Sequence, residues 1–175
     1  MDRSYKFLFT GPPGVGKTTA IAAISDIEPV TTEMKSSGEL ANIKEMTTTA
    51  LDFGELKLQG GDVVRLYGTP GQRRFQFMWE LLLEGALGVV ILIDNMREDP
   101  LGDLDIYVEN FSGLIAETGA VVGLTRSDVK PEPGIDAFYE RLQAHNVMLP
   151  VLECDIRRRD DVSLLLDALI STIEN

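Results

Sequence analysis

The sequence has very few of the residues that build disulfide frameworks and zinc sites. Its 175 residues include one cysteine, Cys154, and one histidine, His145. A single cysteine excludes an intramolecular disulfide, and such a composition is typical of a reducing cytoplasm. No cysteine cluster suggests zinc. We therefore expect a cytoplasmic protein that is stabilised by its packed core.

Basic charge is also scarce. The chain has 16 Lys and Arg against 28 Asp and Glu, which gives a formal net charge of −12. The only basic cluster, residues 157–159, is followed at once by two aspartates, so it is interpreted as a locally neutralised surface. A polyanion such as DNA or RNA would be repelled by this balance, and we expect no nucleic-acid partner.

Long apolar runs are absent. The longest apolar region, residues 81–93, is interrupted by a glutamate and two glycines and is too short to span a bilayer. The termini lack a secretory segment, a myristoylation glycine and a prenylation cysteine, so we expect no covalent membrane anchor. The length predicts one domain, residues 1–175.

The most informative segment present is residues 11–18, GPPGVGKT, between an apolar run and a helix-forming stretch. A strand, a glycine-rich turn and a helix in this order are the setting of a phosphate-binding loop. Its backbone N–H groups form a concave anion site at the helix N-terminus. The residues expected to bind nucleotide here are Gly14, Val15, Gly16, Lys17, Thr18 and Thr19.

Two side chains of this loop have specific expected roles. Lys17 would place its ammonium between the β- and γ-phosphates, where it also serves catalysis, and the Thr18 hydroxyl is the usual ligand for Mg²⁺. A glycine-rich turn that binds nothing is the alternative. The agreement of all fixed positions with the strand and helix context argues against it.

Alternating strand and helix patterns predict an α/β fold with three layers and a mostly parallel sheet. The connection between residues 50–58 and 63–67 is too short for a parallel crossover, which predicts one antiparallel edge strand. We place six strands near 4–9, 50–58, 63–67, 88–94, 120–125 and 149–153. About five helices fit near 17–26, 74–84, 101–118, 134–145 and 160–173.

A second motif, Gly68-Thr69-Pro70-Gly71-Gln72, follows the strand at 63–67. Together with the phosphate loop it resembles the Ras-like small GTPases, and more closely their bacterial gliding-protein (MglA-type) and conservon-type branch. The resemblance covers essentially the whole chain and implies a P-loop NTPase fold. It implies that the Gly71 N–H bonds the γ-phosphate and that Gln72 orients the attacking water in GTP hydrolysis.

The segment 28–49 is polar and irregular, which is typical of a functional connection. Its last residues resemble the first switch of this family. By that resemblance Thr48 caps the Mg²⁺ and senses the γ-phosphate. Thr47 and Thr49 remain alternatives, because three successive threonines leave the register open.

The sequence departs from the family pattern in two places. Gly68 replaces the acidic residue that usually steadies the water shell of Mg²⁺, so water, Asp52 or Asp94 must complete that shell. In addition, residues 28–49 hold no arginine. The nearest candidates for an arginine finger are Arg73 and Arg74, and intrinsic hydrolysis is expected to be slow.

A polar tetrad, residues 125–128, ends an apolar strand at the position where open α/β sheets bind ligands. Thr125, Arg126 and Asp128 resemble the guanine-binding motif of the family. The Asp128 carboxylate can accept from two guanine donors, and the planar Arg126 side chain can stack on a base. Cys154 and Asp155 stand where a third base-contacting motif occurs, with the Asp155 N–H directed at the guanine carbonyl.

These features predict a Mg²⁺-dependent switch that binds GTP or GDP, hydrolyses GTP slowly and reorders in segments 28–49 and 68–79. The resemblance implies roadblock-type regulators. The apolar residues 75 and 77–79 are compatible equally with a partner surface and with core packing. The alternatives are a P-loop NTPase or nucleoside kinase that uses ATP, and a non-hydrolysing nucleotide-dependent scaffold.

Overall fold

Two strands that are buried along their whole length form the centre of the protein. In the computed structural model every residue of β5 (Gly88–Asp94) and β6 (Ala120–Thr125) is buried. A parallel strand that is apolar on both sides must be covered on both faces. The fold is therefore built from a central sheet between two layers of helices.

The structure describes residues 3–33, 50–71, 73 and 76–173. Within them, the other strands are β1 (Ser4–Thr10), β2 (Val30–Glu33), β3 (Ala50–Lys57), β4 (Val63–Gly68) and β7 (Val151–Glu153). The helices are α1 (Lys17–Ile24), α2 (Phe77–Leu83), α3 (Pro100–Asn110), α4 (Ser112–Glu117), α5 (Ile135–Ala144) and α6 (Arg159–Ile173).

The sheet order is β2-β3-β4-β1-β5-β6-β7. All neighbours pair in parallel except that β3 is antiparallel to both β2 and β4. The predicted α/β fold with a mostly parallel sheet is confirmed, and each of the six predicted strands occurs. Among the described residues the short strand β2 lies outside β3, so the antiparallel strand has a neighbour on each side.

The helix predicted over 101–118 is divided in two. Phe111 separates α3 from α4, with φ −105° and ψ 12°, and its ring is fully buried. It packs beside Trp79 with ring centroids 5.4 Å apart. The first helix ends at Ile24, earlier than predicted, and the Ser25 hydroxyl after it accepts from the backbone N–H of Glu55.

The two apolar layers lie on opposite faces of the sheet. One layer contains Trp79, Tyr107 and Phe138, which belong to α2, α3 and α5. The other contains Ile21 of α1 and Leu165 of α6. Burying each side chain of this size contributes roughly 1.5–3 kcal/mol, so both helix layers are held to the sheet by their apolar faces.

This topology brings the candidate motifs to one edge. Strands β1, β4, β5, β6 and β7 run in the same direction. At or just after their carboxyl ends lie the phosphate loop, Gly71, Asp94, Asp128 and Asp155. Ligands of open α/β sheets bind at this edge. Among the helices of the described ranges, none has the length and apolar character needed to cross a membrane.

Candidate nucleotide-binding site

The phosphate loop runs from the end of β1 to the first residue of α1 with a backbone that only glycine fits easily. Gly11 has φ +148°, and a Cβ there would lie 2.3 Å from the carbonyl oxygen of Leu92 on β5. Gly16 has φ +108° and forms the N-cap of α1. A side chain at either position would displace the loop, so the glycines allow the close approach that forms the anion site.

Lys17 lies in the concave side of this loop. Its Nζ donates to the carbonyl oxygens of Gly11 at 2.7 Å and Pro12 at 3.0 Å. Burial lowers the pKa of Lys17 to about 8, an effect that Asp52 opposes and Arg97 reinforces. A phosphate group at the loop would supply the negative charge that this desolvated ammonium needs.

A cavity of about 780 Å³ lies between the phosphate loop, the end of β6 and the loop after β7. This volume is within the range of roughly 300–1,000 Å³ that is usual for small-molecule sites. The predicted nucleotide-binding residues that line it are Gly14, Val15, Gly16, Thr19, Thr125, Arg126, Asp128, Cys154 and Asp155. The fold therefore brings together three separate sequence motifs around one cavity.

Arg126 connects the predicted base-binding loop to the phosphate loop. Its Nη2 lies 3.2 Å from the Gly14 carbonyl oxygen and 3.2 Å from Oδ2 of Asp94. The residue adopts a left-handed conformation with φ +58°, which a non-glycine residue rarely takes. These contacts fix the start of the loop that carries Asp128, whose side chain is exposed at the cavity wall.

Asn95 and Lys130 also hold this loop, and sequence reasoning did not identify them. The buried Asn95 side chain donates to the carbonyl oxygens of Lys130 at 2.6 Å and Pro133 at 3.2 Å. Lys130 Nζ donates to the carbonyl oxygen of Arg97 at 3.1 Å. The only sequence signal for Asn95 is an amide side chain directly after Asp94, at the end of an apolar run.

The loop after β7 brings Asp155 to the cavity. Its backbone N–H donates to Oδ2 of Asp161 at 2.8 Å, so contact with a guanine carbonyl stays a prediction that requires this bond to be exchanged. Hydrogen bonds from Arg157 lower the pKa of the Asp155 carboxyl to about 2. Burial raises the pKa of Cys154 to about 12, which agrees with a packing residue and not with a reactive thiol.

The phosphate end of the site contains Thr18, Asp52 and Gly71. The Thr18 hydroxyl donates to Oδ2 of Asp52 at 2.5 Å. A Cβ on Gly71 would lie 2.7 Å from the Pro13 nitrogen and 2.8 Å from Lys17 Nζ, so the backbone of Gly71 is packed directly against the phosphate loop. The predicted hydrogen bond from the Gly71 N–H to the γ-phosphate would form beside this loop.

The side chains at this end fit a magnesium ion that shares its coordination with a nucleotide. The Thr18 hydroxyl and the Asp52 carboxylate provide hard oxygen donors, which Mg²⁺ prefers. Among the described residues no group of three or more His, Cys, Asp or Glu side chains could hold a metal by itself. The remaining ligands would therefore have to be phosphate oxygens and water.

Several predicted site residues lie outside the described residues. They are Gln72, Thr48 and its alternatives Thr47 and Thr49, and Arg74. Arg73 is described and its side chain is exposed. The catalytic role of Gln72 and the metal role of Thr48 therefore remain predictions from sequence.

Trp79 joins α2 to Pro70, just after the end of β4. Its indole is 2% exposed, and Nε1 donates to the carbonyl oxygen of Pro70 at 2.9 Å. The ring packs against Tyr107 and Phe111 at centroid distances of 5.2 and 5.4 Å. Core packing is thus the role of Trp79 and Met78, whereas Phe77 is 50% exposed.

We expect Trp79→Phe to lower the free energy of unfolding by about 1–3 kcal/mol, because the buried Pro70 carbonyl loses its donor. Urea unfolding followed by far-UV circular dichroism measures this loss without depending on the single tryptophan. The exposed neighbour provides the control, since Phe77→Leu should change stability little. Equal stability of Trp79→Phe and the wild type would contradict the anchoring role.

The buried lysine in a glycine-rich loop between β1 and α1, at the carboxyl edge of a mostly parallel sheet, defines a P-loop nucleotide-binding protein. The family model described as "Conserved hypothetical ATP binding protein" matches residues 28–172. The chain belongs to this family. The matched range begins after the phosphate loop, so the loop at 11–18 adds an independent indication of nucleotide binding.

Curated relatives match parts of the chain at low identity. The chain is 34% identical over 93 residues to an uncharacterized protein from Methanocaldococcus jannaschii, covering 53% of this chain and 52% of that protein. It is 28% identical to the Ras-related protein Rab-8B from Homo sapiens over 62% of this chain and 48% of that protein. The chain thus spans about half the length of these two relatives.

A longer match links nearly the whole chain to a Ras-related protein. The Arabidopsis thaliana protein RABC2a is 25% identical over 96% of this chain and 77% of its own length. The fold and the family match show a P-loop nucleotide-binding protein, and its sequence is similar at low identity to Ras-related proteins.

Proposed function

We propose that this protein is a guanine-nucleotide-dependent switch that binds GTP and GDP with Mg²⁺ and slowly hydrolyses GTP. It would belong to the bacterial gliding-protein (MglA-type) and conservon-type branch of Ras-like GTPases. The observation that carries the proposal is the Asp128 carboxylate, which lies at the wall of the cavity beside the phosphate loop. Base preference is thereby assigned to one side chain.

The preference for guanine follows from hydrogen-bond chemistry. Guanine presents a ring N–H and an exocyclic amine side by side, and a carboxylate can accept from both. Adenine presents a ring nitrogen lone pair in place of the ring N–H, which the carboxylate would repel. One good bidentate contact of this kind is worth about 1–3 kcal/mol of discrimination.

The phosphate end accounts for binding and hydrolysis. Lys17 would neutralise the β- and γ-phosphates, and the Gly71 N–H would bond the γ-phosphate. Gln72 would orient the attacking water, since a neutral amide both donates and accepts hydrogen bonds. Arg73 and Arg74 are the nearest arginines, and without a finger hydrolysis lacks a contribution of about 10³- to 10⁵-fold.

Magnesium would be held by the hydroxyls of Thr18 and Thr48. When bound, the cation supplies positive charge that neutralises the transferred phosphoryl group. The protein's own part is to present Thr18 from the first turn of α1, beside Lys17. The Thr18–Asp52 hydrogen bond gives that hydroxyl one defined orientation.

The switch would work through segments 28–49 and 68–79, whose conformation depends on the γ-phosphate. Roadblock-type regulators and effectors would bind there in the cytoplasm. Phe77 and Leu81 support this part of the proposal, because they lie about one helical turn apart on α2 and are 50% and 68% exposed. They offer an apolar contact next to the phosphate-sensing segment.

ATP binding is the second candidate function, and the description of the matching family favours it. This candidate predicts that the wild type binds ATP at least as tightly as GTP. It also predicts that the side chain at position 128 has no effect on nucleotide binding.

A titration of nucleotide-free protein with fluorescent GDP, GTP and ATP analogues in Mg²⁺ separates the two candidates. We expect tighter guanine binding and a loss of about tenfold to more than 100-fold in Asp128→Ala. The matched control is Asp136→Ala, which removes an exposed carboxylate from the first turn of α5. Equal affinity for ATP, or no effect of Asp128→Ala, would contradict the proposal.

A further inference from the structure

Asp52 fills the space that a side chain at position 68 would occupy, where this chain has a glycine. In the antiparallel pair of β3 and β4, Asp52 lies opposite Gly68. A Cβ placed on Gly68 would lie 3.1 Å from the Asp52 Cβ and 3.2 Å from its Oδ2. The carboxylate of Asp52 therefore lies where a carboxylate carried by residue 68 would reach.

The contact with Thr18 gives this carboxylate a defined partner in the phosphate site. The Thr18 hydroxyl donates a hydrogen bond to Oδ2 of Asp52 at 2.5 Å. With its hydrogen directed at Asp52, the hydroxyl oxygen keeps its lone pairs for another partner. A hydroxyl oriented in this way is prepared to ligate a cation.

The other carboxylate considered for this role is engaged elsewhere. Asp94 Oδ2 pairs with Arg126 at 3.2 Å, and its Oδ1 accepts from the backbone N–H of Met96 at 2.9 Å. One oxygen of Asp94 thus holds the loop that carries Asp128, and the other holds the turn directly after β5. Asp52 is the carboxylate that contacts Thr18.

We propose that Asp52 on β3 supplies the carboxylate that residue 68 on the neighbouring strand β4 lacks. Asp52 orients the Thr18 hydroxyl toward Mg²⁺ and accepts a hydrogen bond from a water molecule of the cation's shell. It is a positioning residue and acts through Thr18 and water. The inference rests on the Mg²⁺-nucleotide site of the proposed function and holds for either base.

The rate of nucleotide release tests the inference without any measurement of hydrolysis. The dissociation rate of a fluorescent GDP analogue is measured once in Mg²⁺ and once in excess EDTA. The ADP analogue replaces it if the wild type prefers adenine. We expect Mg²⁺ to slow release from the wild type. In Asp52→Asn this slowing should weaken by about 10–100-fold, the usual cost of losing a partner that orients a metal ligand.

Two further variants separate metal positioning from a structural role. Glu55→Gln removes another carboxylate from β3, one that pairs with Arg65 at 3.7 Å, and should keep the full Mg²⁺ effect. The double variant Asp52→Gly with Gly68→Asp returns the carboxylate to β4 and should restore the slowing. If Asp52 only supports the fold, the double variant can regain stability without regaining the slowing of release by Mg²⁺. The inference requires that this slowing returns.

The possible outcomes test the inference separately from the proposed function on which it rests. Release from the wild type that is indifferent to Mg²⁺ would overturn the Mg²⁺ site and the role of Asp52 with it. Mg²⁺-sensitive release that is unchanged in Asp52→Asn would overturn the inference alone. Gly68→Asp without the second change should weaken the Mg²⁺ effect, because its Cβ would lie 3.1 Å from the Asp52 Cβ and two carboxylates would be crowded together.

Discussion

Lys17→Ala is expected to weaken the binding of GDP and GTP by about 30-fold or more. The ammonium lies in the phosphate loop, 2.7 Å from the Gly11 carbonyl oxygen, and is 8% exposed. Truncating one partner of a buried, hydrogen-bonded charge pair typically costs about 2–5 kcal/mol, and each 1.4 kcal/mol is about tenfold in affinity. Isothermal titration calorimetry with GDP in Mg²⁺ measures the loss directly.

The matched control for Lys17→Ala is Lys57→Ala, which removes an exposed ammonium at the end of β3. Its nucleotide affinity should equal that of the wild type. Urea unfolding of both variants shows whether either substitution damages the fold. A folded Lys17→Ala protein with wild-type affinity would mean that nucleotide phosphates do not bind at this loop.

The parts of the fold that are predictable from sequence are those whose signal is local. Strands β5 and β6 read as apolar runs that end in Asp94 and Thr125, because they are buried on both faces. The phosphate loop at 11–18 is recognisable because its glycines, lysine and threonine are contiguous. The order of these elements then determines that their loops meet at one edge of the sheet.

The contacts that could not be predicted join residues far apart in the chain. Sequence alone left both Asp52 and Asp94 as candidates to compensate for Gly68. The register of β3 against β4 selects Asp52, because it is the residue opposite Gly68. That register depends on the turn in which the Leu58 N–H donates to the Asp62 carbonyl oxygen at 2.8 Å, a detail that composition does not encode.

The residues that support the loop at 125–134 could not be predicted for the same reason. Asn95 lies 35 residues from Lys130 in sequence, yet its side chain bonds the backbone of that loop. Hydrogen bonds to backbone carbonyls place no constraint on the type of residue that supplies the carbonyl. Asp128 was identifiable because it belongs to a recognisable tetrad at the end of an apolar strand, and it lines the cavity. Asn95 acts only through the position of the backbone.

Asp128→Asn is expected to change the base preference of the site from guanine to xanthine. Xanthine carries a carbonyl oxygen where guanine has its exocyclic amine. An amide NH₂ at position 128 donates to that oxygen, whereas a carboxylate repels it. The free energy of base discrimination is about 1–3 kcal/mol for each nucleotide. GDP affinity should therefore fall by about tenfold or more, and affinity for xanthosine diphosphate should rise by a similar factor.

Competition of fluorescent GDP and xanthosine diphosphate analogues by the unlabelled nucleotides measures both changes in one protein. Asp136→Asn, on the exposed first turn of α5, should keep the guanine preference of the wild type. Reversal in Asp128→Asn alone would place the base against the loop at 125–128 and exclude a merely structural effect, because a damaged pocket loses affinity for both nucleotides. A folded Asp128→Asn protein that still prefers GDP would show that another group reads the base.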